Sequence, residues 1–295
     1  MTKSVGIIGC GWLGIALAKK LIAASDNVLA TTAHTESSDK LSADSIPSHP
    51  LSLPSQLSTI ALAKTPIFSM SQLVICLPPR IKSGQSDYPD KIKQIVAAAE
   101  IAKVEHIILI SSTAVYGGLS GKVDEASQLN FSAPKVQIMH DAEQAVLNFS
   151  QYANVIRLAG LVGPNRHPGR FLSSSNTNKL NDKKLLANPF ATVNLIHQTD
   201  AVSLINTVLN SADKQQFNKD VFNGVSNTHV SRKDFYQAAA QALNLAVPEF
   251  VDEQDSSHGM SKEVLGDKAV NQLKVSFVYN DLVQWVRQGI LSADL

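Results

Sequence analysis

Short apolar runs and stretches of helical spacing take turns along the first half of the chain. Lys3–Ile8 is largely apolar and predicts a strand, and Ile15–Ala24 repeats apolar residues at helical spacing. A strand at Asn27–Ala30, a candidate strand at Pro50–Leu53 and a helical stretch near Gln56–Lys64 follow. Leu73–Leu77 is continuously apolar and is stopped by Pro78-Pro79-Arg80. Tyr88–Lys103 predicts a helix with Pro89 near its start and Ile92, Ile95, Val96 and Ala99 on one face. His106–Ile110 predicts the next strand, which His106 opens as a surface or strand-end histidine. A helix over Val136–Ser150 and a sixth strand at Asn154–Leu158 complete the alternation. Strands separated by helices in this way build a parallel, doubly wound α/β sheet.

Beyond Gly163-Pro164 the alternation weakens. Residues 164–195 are rich in Asn, Ser and Lys and read as loop. Phe222–Val225 returns as a strand, and Ser231 is placed to cap a helix over Arg232–Leu243, with Asp234 in its first turn. The expected organisation is a sheet domain over 1–163 and a smaller lobe over 164–295, with segments at about 190–228 returning to the sheet.

Composition narrows the function classes. The chain has 295 residues, 44% of them apolar and 17% charged, which is ample for a buried core. A net charge of +1 argues against nucleic acid as the main partner. No apolar run reaches the ~18 residues that span a bilayer, and the N-terminus runs straight into Val5-Gly-Ile-Ile-Gly, unlike a signal peptide. Two cysteines in different apolar runs, Cys10 and Cys76, offer neither a disulfide framework nor a zinc cluster, and the histidines are scattered, so no metal site is expected. These features predict a soluble cytoplasmic protein.

The sharpest motif is Gly9-Cys10-Gly11-Trp12-Leu13-Gly14, a G-x-G-x-x-G set between the first strand and the first helix. In that setting Gly9 permits a tight turn, Gly11 lets the backbone approach a pyrophosphate, and Gly14 allows close packing of helix on strand. The expected cofactor is NAD(P), in a Rossmann-type fold. No acidic residue stands at the end of the second strand to grip a ribose 2′-hydroxyl. Thr31, Thr32 and His34 stand there instead and lean the reading toward NADP, or form a solvated loop of small polar residues. Leu77, Pro78 and Pro79 follow the fourth strand at the carboxyl edge, where a dinucleotide lies.

Further on, Ser111-Ser112-Thr113-Ala114-Val115-Tyr116-Gly117 resembles the Ser-Ser-x-x-Val-Tyr-Gly segment of the extended short-chain dehydrogenases/reductases, the nucleotide-sugar epimerase/dehydratase group. Arg157-Leu-Ala-Gly-Leu-Val-Gly-Pro164 resembles that family's Arg-Leu-x-x-x-Tyr-Gly-Pro, with Val162 in place of the aromatic. Asn194-Leu-Ile-His197-Gln-Thr-Asp200-Ala201 is similar to its His-x-x-Asp segment, and Asn271…Tyr279…Gly289 to its C-terminal pattern. The segments occur in family order and cover nearly the whole chain.

The resemblance implies a catalytic Ser or Thr, a Tyr acid/base, and a Lys four residues after the Tyr. Ser112 falls at the hydroxyl position, with Thr113 beside it. Aligning Glu143-Gln144 with the family's Glu-rich turn puts Lys135 at the Tyr position and Met139 at the Lys position. No Tyr-x-x-x-Lys occurs in the chain. In this the chain is similar to atypical members of the superfamily, some of which carry Lys for Tyr. As a base, Lys135 needs its pKa lowered from about 10.4 toward neutrality; the ordinary alternative is a solvated surface lysine. Tyr116 either packs under the Ser112 turn or faces the ligand. By resemblance, Arg157 and His197 lie near the substrate cleft, and Arg157 requires a partner or bound anion. Arg166, Arg170 and Arg232 are candidates to meet substrate phosphates.

Two functions follow. One is an NAD(P)-dependent oxidoreductase or epimerase-like enzyme acting on a small polar or nucleotide-linked molecule, as a monomer or homodimer. The other is a non-catalytic NAD(P)-binding redox sensor or scaffold, which the missing Tyr/Lys pair favours.

Overall fold

The computed structural model describes residues 3–81, 86–171, 186–211, 215–251 and 261–288. The family-pattern residue Gly289 therefore lies outside the described residues. The chain begins β1 (Ser4–Ile8), α1 (Trp12–Ala23), β2 (Asn27–Thr32), α2 (Thr35–Ala43), β3 (Ser48–Pro50) and α3 (Thr59–Ala63). Next come β4 (Gln72–Ile75), α4 (Tyr88–Ala102), β5 (His106–Ser112), β6 (Gly121–Val123), α5 (Pro134–Leu147) and β7 (Tyr152–Leu158). β8 (Gly160–Val162), β9 (Leu186–Ala187), β10 (Leu195–His197), α6 (Gln198–Asn210) and β11 (Val221–Gly224) follow. The last elements are α7 (Arg232–Ala242), β12 (Phe250–Val251), β13 (Lys262–Val264), α8 (Asp267–Leu273) and α9 (Leu282–Arg287).

Seven strands form one parallel sheet in the order β3-β2-β1-β4-β5-β7-β11. Ile8 stands opposite Thr31 on one side and Ile75 on the other, and Ile75 opposite Leu109. This is the doubly wound Rossmann-type order, which reverses direction between β1 and β4, the point where ligands of such sheets sit. The central strands are apolar in their middles because helices cover both faces. Ile8, Leu73, Ile75, Ile107 and Leu109 pack with Ile92, Ile95, Ala142 and Val146 of α4 and α5. Val5, Ile7, Val74 and Ile108 are equally buried but take no part in that cluster, as strand alternation requires.

The chain divides into two compact units. The first holds the chain up to Val115, Phe131–Arg157 and Val202–Phe222. The second holds Tyr116–Asn130, Leu158–Ala201 and the chain from Asn223 onward. In the second, β8 pairs with β10, β9 with β12 and β6 with β13, all in parallel. Its core gathers Val162, Leu195, Phe235, Leu282, Trp285 and Val286. Ser231 caps α7 by accepting from Asp234 N at 3.0 Å. No described helix is long and apolar enough to cross a membrane.

Two expectations change. The strand expected at Pro50–Leu53 is β3 at Ser48–Pro50; Leu51 N makes the last rung, to Thr32 O at 2.7 Å, and the next residues leave the sheet. His106 is not at the surface. It is 1% exposed, 3.2 Å from Gln72 Oε1 and 2.8 Å from Asn154 Oδ1. Asn154 Nδ2 donates to Phe217 O at 2.6 Å, so its Oδ1 accepts from His106 Nε2. The three side chains clasp the amino ends of β4, β5 and β7.

The Tyr88 hydroxyl, at the start of α4, is buried in the first unit's core with no hydrogen-bond partner among the described residues. A buried hydroxyl without a partner costs free energy that a phenyl ring does not. Tyr88→Phe should leave stability unchanged or raise it by about 1 kcal/mol. A lower melting temperature for the variant would show that the hydroxyl is satisfied after all.

Candidate functional site

The turn after β1 is built for close approach. Gly9 has φ +85, and a Cβ on it would stand 2.7 Å from Leu77 Cδ2 and 3.3 Å from the Cys76 carbonyl carbon. Its N–H donates to Thr31 Oγ1 at 3.4 Å, Cys10 N to Thr31 O at 2.7 Å, and Gly11 N to Gly9 O at 2.8 Å. A Cβ on Gly14 would lie 3.3 Å from both Ile7 Cγ2 and Cys10 Sγ, so α1 seats directly on β1. Gly11 is different. It is exposed, and a Cβ there would meet nothing within 4 Å. It begins α1, which has no side-chain cap and no acidic residue in its first turn. The N–H groups of a helix's first turn lack intrahelical acceptors and carry a positive potential. The start of α1 at Leu13 and Gly14 is thus an anion cradle, and a dinucleotide's pyrophosphate fits it.

Thr31 is buried, with its hydroxyl oxygen taken up by Gly9. Thr32 is half-buried and donates to His34 O at 3.0 Å. His34 is exposed at the start of α2, which also lacks a side-chain cap. After β4, Leu77 lies against Gly9, Pro78 is exposed and Pro79 half-buried.

At the end of β5 neighbouring serines diverge. Ser111 is buried and donates to Glu143 Oε1 at 2.6 Å. Ser112 is half-buried, and its Oγ accepts from Ala114 N at 3.2 Å, which leaves the hydroxyl proton to donate elsewhere. Thr113 is buried. In the second unit Tyr116 is fully buried, and its hydroxyl donates to Asn223 Oδ1 at 2.9 Å.

Lys135, Met139 and Glu143 follow one another at four-residue spacing along α5. Lys135 is exposed in the first turn, Met139 is buried, and Glu143 is fully buried. Arg157, at the end of β7, is buried with it. Its Nη2 donates to Glu143 Oε2 at 2.7 Å, and its Nε lies 3.1 Å from Oε1. Glu143 is the buried charge at this site that sequence reading used only as an alignment mark. The signal was its place two turns beyond Lys135.

In the second unit, pairing of β8 with β10 sets His197 opposite Val162, so two of the family-like segments meet. His197 Nδ1 accepts from Thr199 N at 3.2 Å, and Nε2, which therefore carries the proton, is buried without a partner among the described residues. Tyr279 lies over the ring at 3.8 Å between centroids, and Trp285 meets it edge-on at 4.9 Å. Asp200 accepts from Val278 N at 2.7 Å and Tyr279 N at 2.9 Å, holding that segment in place. Burial pushes the His197 pKa down to about 4, so the imidazole is neutral. Arg166 and Arg170 are exposed, and Arg232 Nη1 donates to Ala187 O at 2.9 Å. No cluster of three or more His, Cys, Asp or Glu suited to a metal ion occurs among the described residues.

No family model matches the sequence. Protein YeeZ of Escherichia coli strain K12 is 31% identical over 282 residues, which span 95% of this chain and 97% of that protein. The chain belongs to the YeeZ family. Protein YeeZ of Escherichia coli O157:H7 gives the same identity over the same length. Among solved structures, a functionally unknown conserved protein from Silicibacter pomeroyi has a TM-score of 0.75 at 22% identity, covering 98% of this chain and 96% of its own. MoeE5 in complex with UDP-glucose and NAD has a TM-score of 0.74 at 18% identity, with 97% and 99% covered. UDP-glucuronic acid 4-epimerase from Bacillus cereus in complex with NAD has 0.74 at 15%, with 97% and 96% covered. The YeeZ-family chain thus shares its fold with these solved structures.

Two consequences can be measured on this YeeZ-family chain. Glu143→Gln leaves a buried arginine without its counter-charge and should cost about 3–5 kcal/mol in urea unfolding. A cost under ~1 kcal/mol would mean that Arg157 finds water or another acceptor. His197 sets the acid limb of stability. Its folded pKa of about 4 lies below the unfolded value of 6.5, so only the unfolded chain takes up this proton as pH falls between them. Stability should therefore drop by about 3 kcal/mol from pH 6.5 to 4 through this group. The slope should flatten in His197→Asn, and an unchanged slope would assign acid unfolding to other groups.

Proposed function

We propose that the chain is an NAD(P)-dependent oxidoreductase or epimerase-like enzyme acting on a small polar or nucleotide-linked substrate. The open, uncapped start of α1 at Gly11 carries this reading, because it offers backbone donors to a pyrophosphate at the point where the sheet reverses direction. Backbone N–H groups of Leu13 and Gly14 would hold the pyrophosphate beside Trp12, and Leu77, Pro78 and Pro79 would flank the dinucleotide. A bound nicotinamide supplies the hydride donor or acceptor. The absence of a carboxylate at the end of β2, with Thr32 and exposed His34 in its place, favours NADP over NAD.

Ser112 has the chemistry of a substrate-holding group. Its oxygen is engaged by Ala114 N, and its proton is available to a carbonyl or hydroxyl oxygen. Such a donor stabilises charge that develops on that oxygen. Lys135 is exposed, so it reaches solvent protons. Buried Met139, where the family lysine would stand, has no group to hold a ribose hydroxyl. That residue is the observation that favours the second reading, a dinucleotide-binding protein without turnover.

Gly11→Val separates binding from folding, because the added side chain enters open space. The variant should keep the wild-type melting temperature and lose dinucleotide affinity at least about 100-fold. Binding is read as quenching of Trp12 fluorescence by NADPH, NADH, NADP and NAD in turn. No response to any of them would overturn the proposal. For turnover, nicotinamide absorbance is followed with UDP-sugars and small hydroxy or keto compounds. Wild-type activity reduced about 10²–10³-fold by Ser112→Ala excludes the non-catalytic reading.

A further inference from the structure

The chain has two cysteines, and the fold brings both to the dinucleotide loop. Cys10 lies in the turn between β1 and α1, and Cys76 directly follows β4. These strands are hydrogen-bonded neighbours, with Ile8 opposite Ile75, and Cys76 N donates to Ile8 O at 2.8 Å. Strand alternation settles which way Cys76 points. Leu73 and Ile75 belong to the α4/α5 side of the sheet, so Val74 and Cys76 face the other side, where Ile7 meets the start of α1. Cys10 Sγ occupies that side too, since the Cβ position of Gly14 lies 3.3 Å from both Cys10 Sγ and Ile7 Cγ2. Cys10 stands one residue beyond the position opposite Cys76, in a turn whose N–H is held by Thr31 O of β2, so bridging the pair moves Cys10 toward β4. A disulfide spans about 4.4–6.8 Å between Cα atoms.

We propose that Cys10 and Cys76 form a reversible disulfide that shuts the glycine loop to its ligand. The oxidant is a peroxide. Two S–H bonds and one O–O bond break, one S–S bond forms, and the two protons and two electrons leave with the peroxide oxygens as two waters. A thiol reductant reverses the step. The proposal rests on the dinucleotide reading, because the cross-link acts by drawing Cys10 toward β4 and turning the Gly11–Gly14 N–H groups away from the pyrophosphate.

The two states of the loop differ in reactivity. Burial pushes the Cys10 thiol up to about 12 and the Cys76 thiol higher still, the nearby Cys10 adding to the rise at Cys76. With the loop closed both groups are protonated and poor nucleophiles. Oxidation then requires the loop to open, which a bound dinucleotide resists. The pair reports occupancy: empty protein oxidises, loaded protein is spared.

The test treats fully reduced protein with hydrogen peroxide, with and without NADPH. The cross-link is read by intact mass and by a non-reducing peptide map, and dinucleotide affinity by Trp12 quenching. The expected result is loss of two hydrogens, one linked Cys10–Cys76 peptide, and an affinity lowered at least about tenfold and restored by dithiothreitol. Cys76→Ala, checked by thermal melt, should show the same affinity before and after the same treatment. NADPH should slow the cross-link several-fold. Separate oxidation of the two sulfurs, unreacted thiols, or a cross-link that leaves affinity unchanged would overturn the inference. Reduced protein that binds dinucleotide yet never cross-links defeats this inference alone. Reduced protein that binds no dinucleotide defeats the functional reading and the loop-closing effect with it, while the peptide map still reports on the pair.

Discussion

A carboxylate cut off from water has to be met by donors, and Glu143 is met by Ser111 Oγ, Arg157 Nε and Arg157 Nη2 at once. These contacts join a helix to the ends of two strands of the sheet, because Ser111 is the last residue but one of β5 and Arg157 ends the first unit's part of β7. The edge of the sheet that presents Ser112 is therefore set by an electrostatic contact beneath it. An apolar contact there would tolerate sliding, whereas a guanidinium forked onto a carboxylate tolerates little. The same burial leaves the charge pair dependent on both members.

The sheet was readable from the sequence because its strands are buried on both faces and so appear as unbroken apolar runs. β1, β4 and β5 needed little more than Val5–Ile8, Leu73–Ile75 and Ile107–Ile110. Their ends were harder. β5 runs on through Ser111 and Ser112, which look like loop until Glu143 is known to satisfy the first of them. His106 looked like a surface residue because Gln72 and Asn154, its partners, come from other strands. Glu143 itself reads as an ordinary helix charge, and only the sheet beneath it makes it a buried one. The neutral state of His197 was likewise invisible, since Tyr279 and Trp285 reach it from far along the chain.

The candidate site divides in the same way. The glycine loop is local chemistry, and its spacing alone points to the turn, the open flank and the close helix contact. The segment that the family resemblance aligns with a Tyr/Lys pair is not local. Along α5 an exposed lysine, a buried methionine and a buried glutamate stand at the spacing where a different pair would be expected by resemblance. Helical spacing reveals that they share a side, but not that one belongs to solvent and another to an ion pair.

The clasp of Gln72, His106 and Asn154 gives the first unit a direction. It knits the amino ends of three adjacent strands through side chains, while at the other end β1 and β4 run out into the glycine turn and the Pro78-Pro79 loop. Amide and imidazole contacts tie the strands at one edge, and an ion pair with a serine ties β5 and β7 to α5 at the other. A side chain lost from the clasp would therefore be felt along the whole of β4 and β5, as far as the turns on which the candidate site is built.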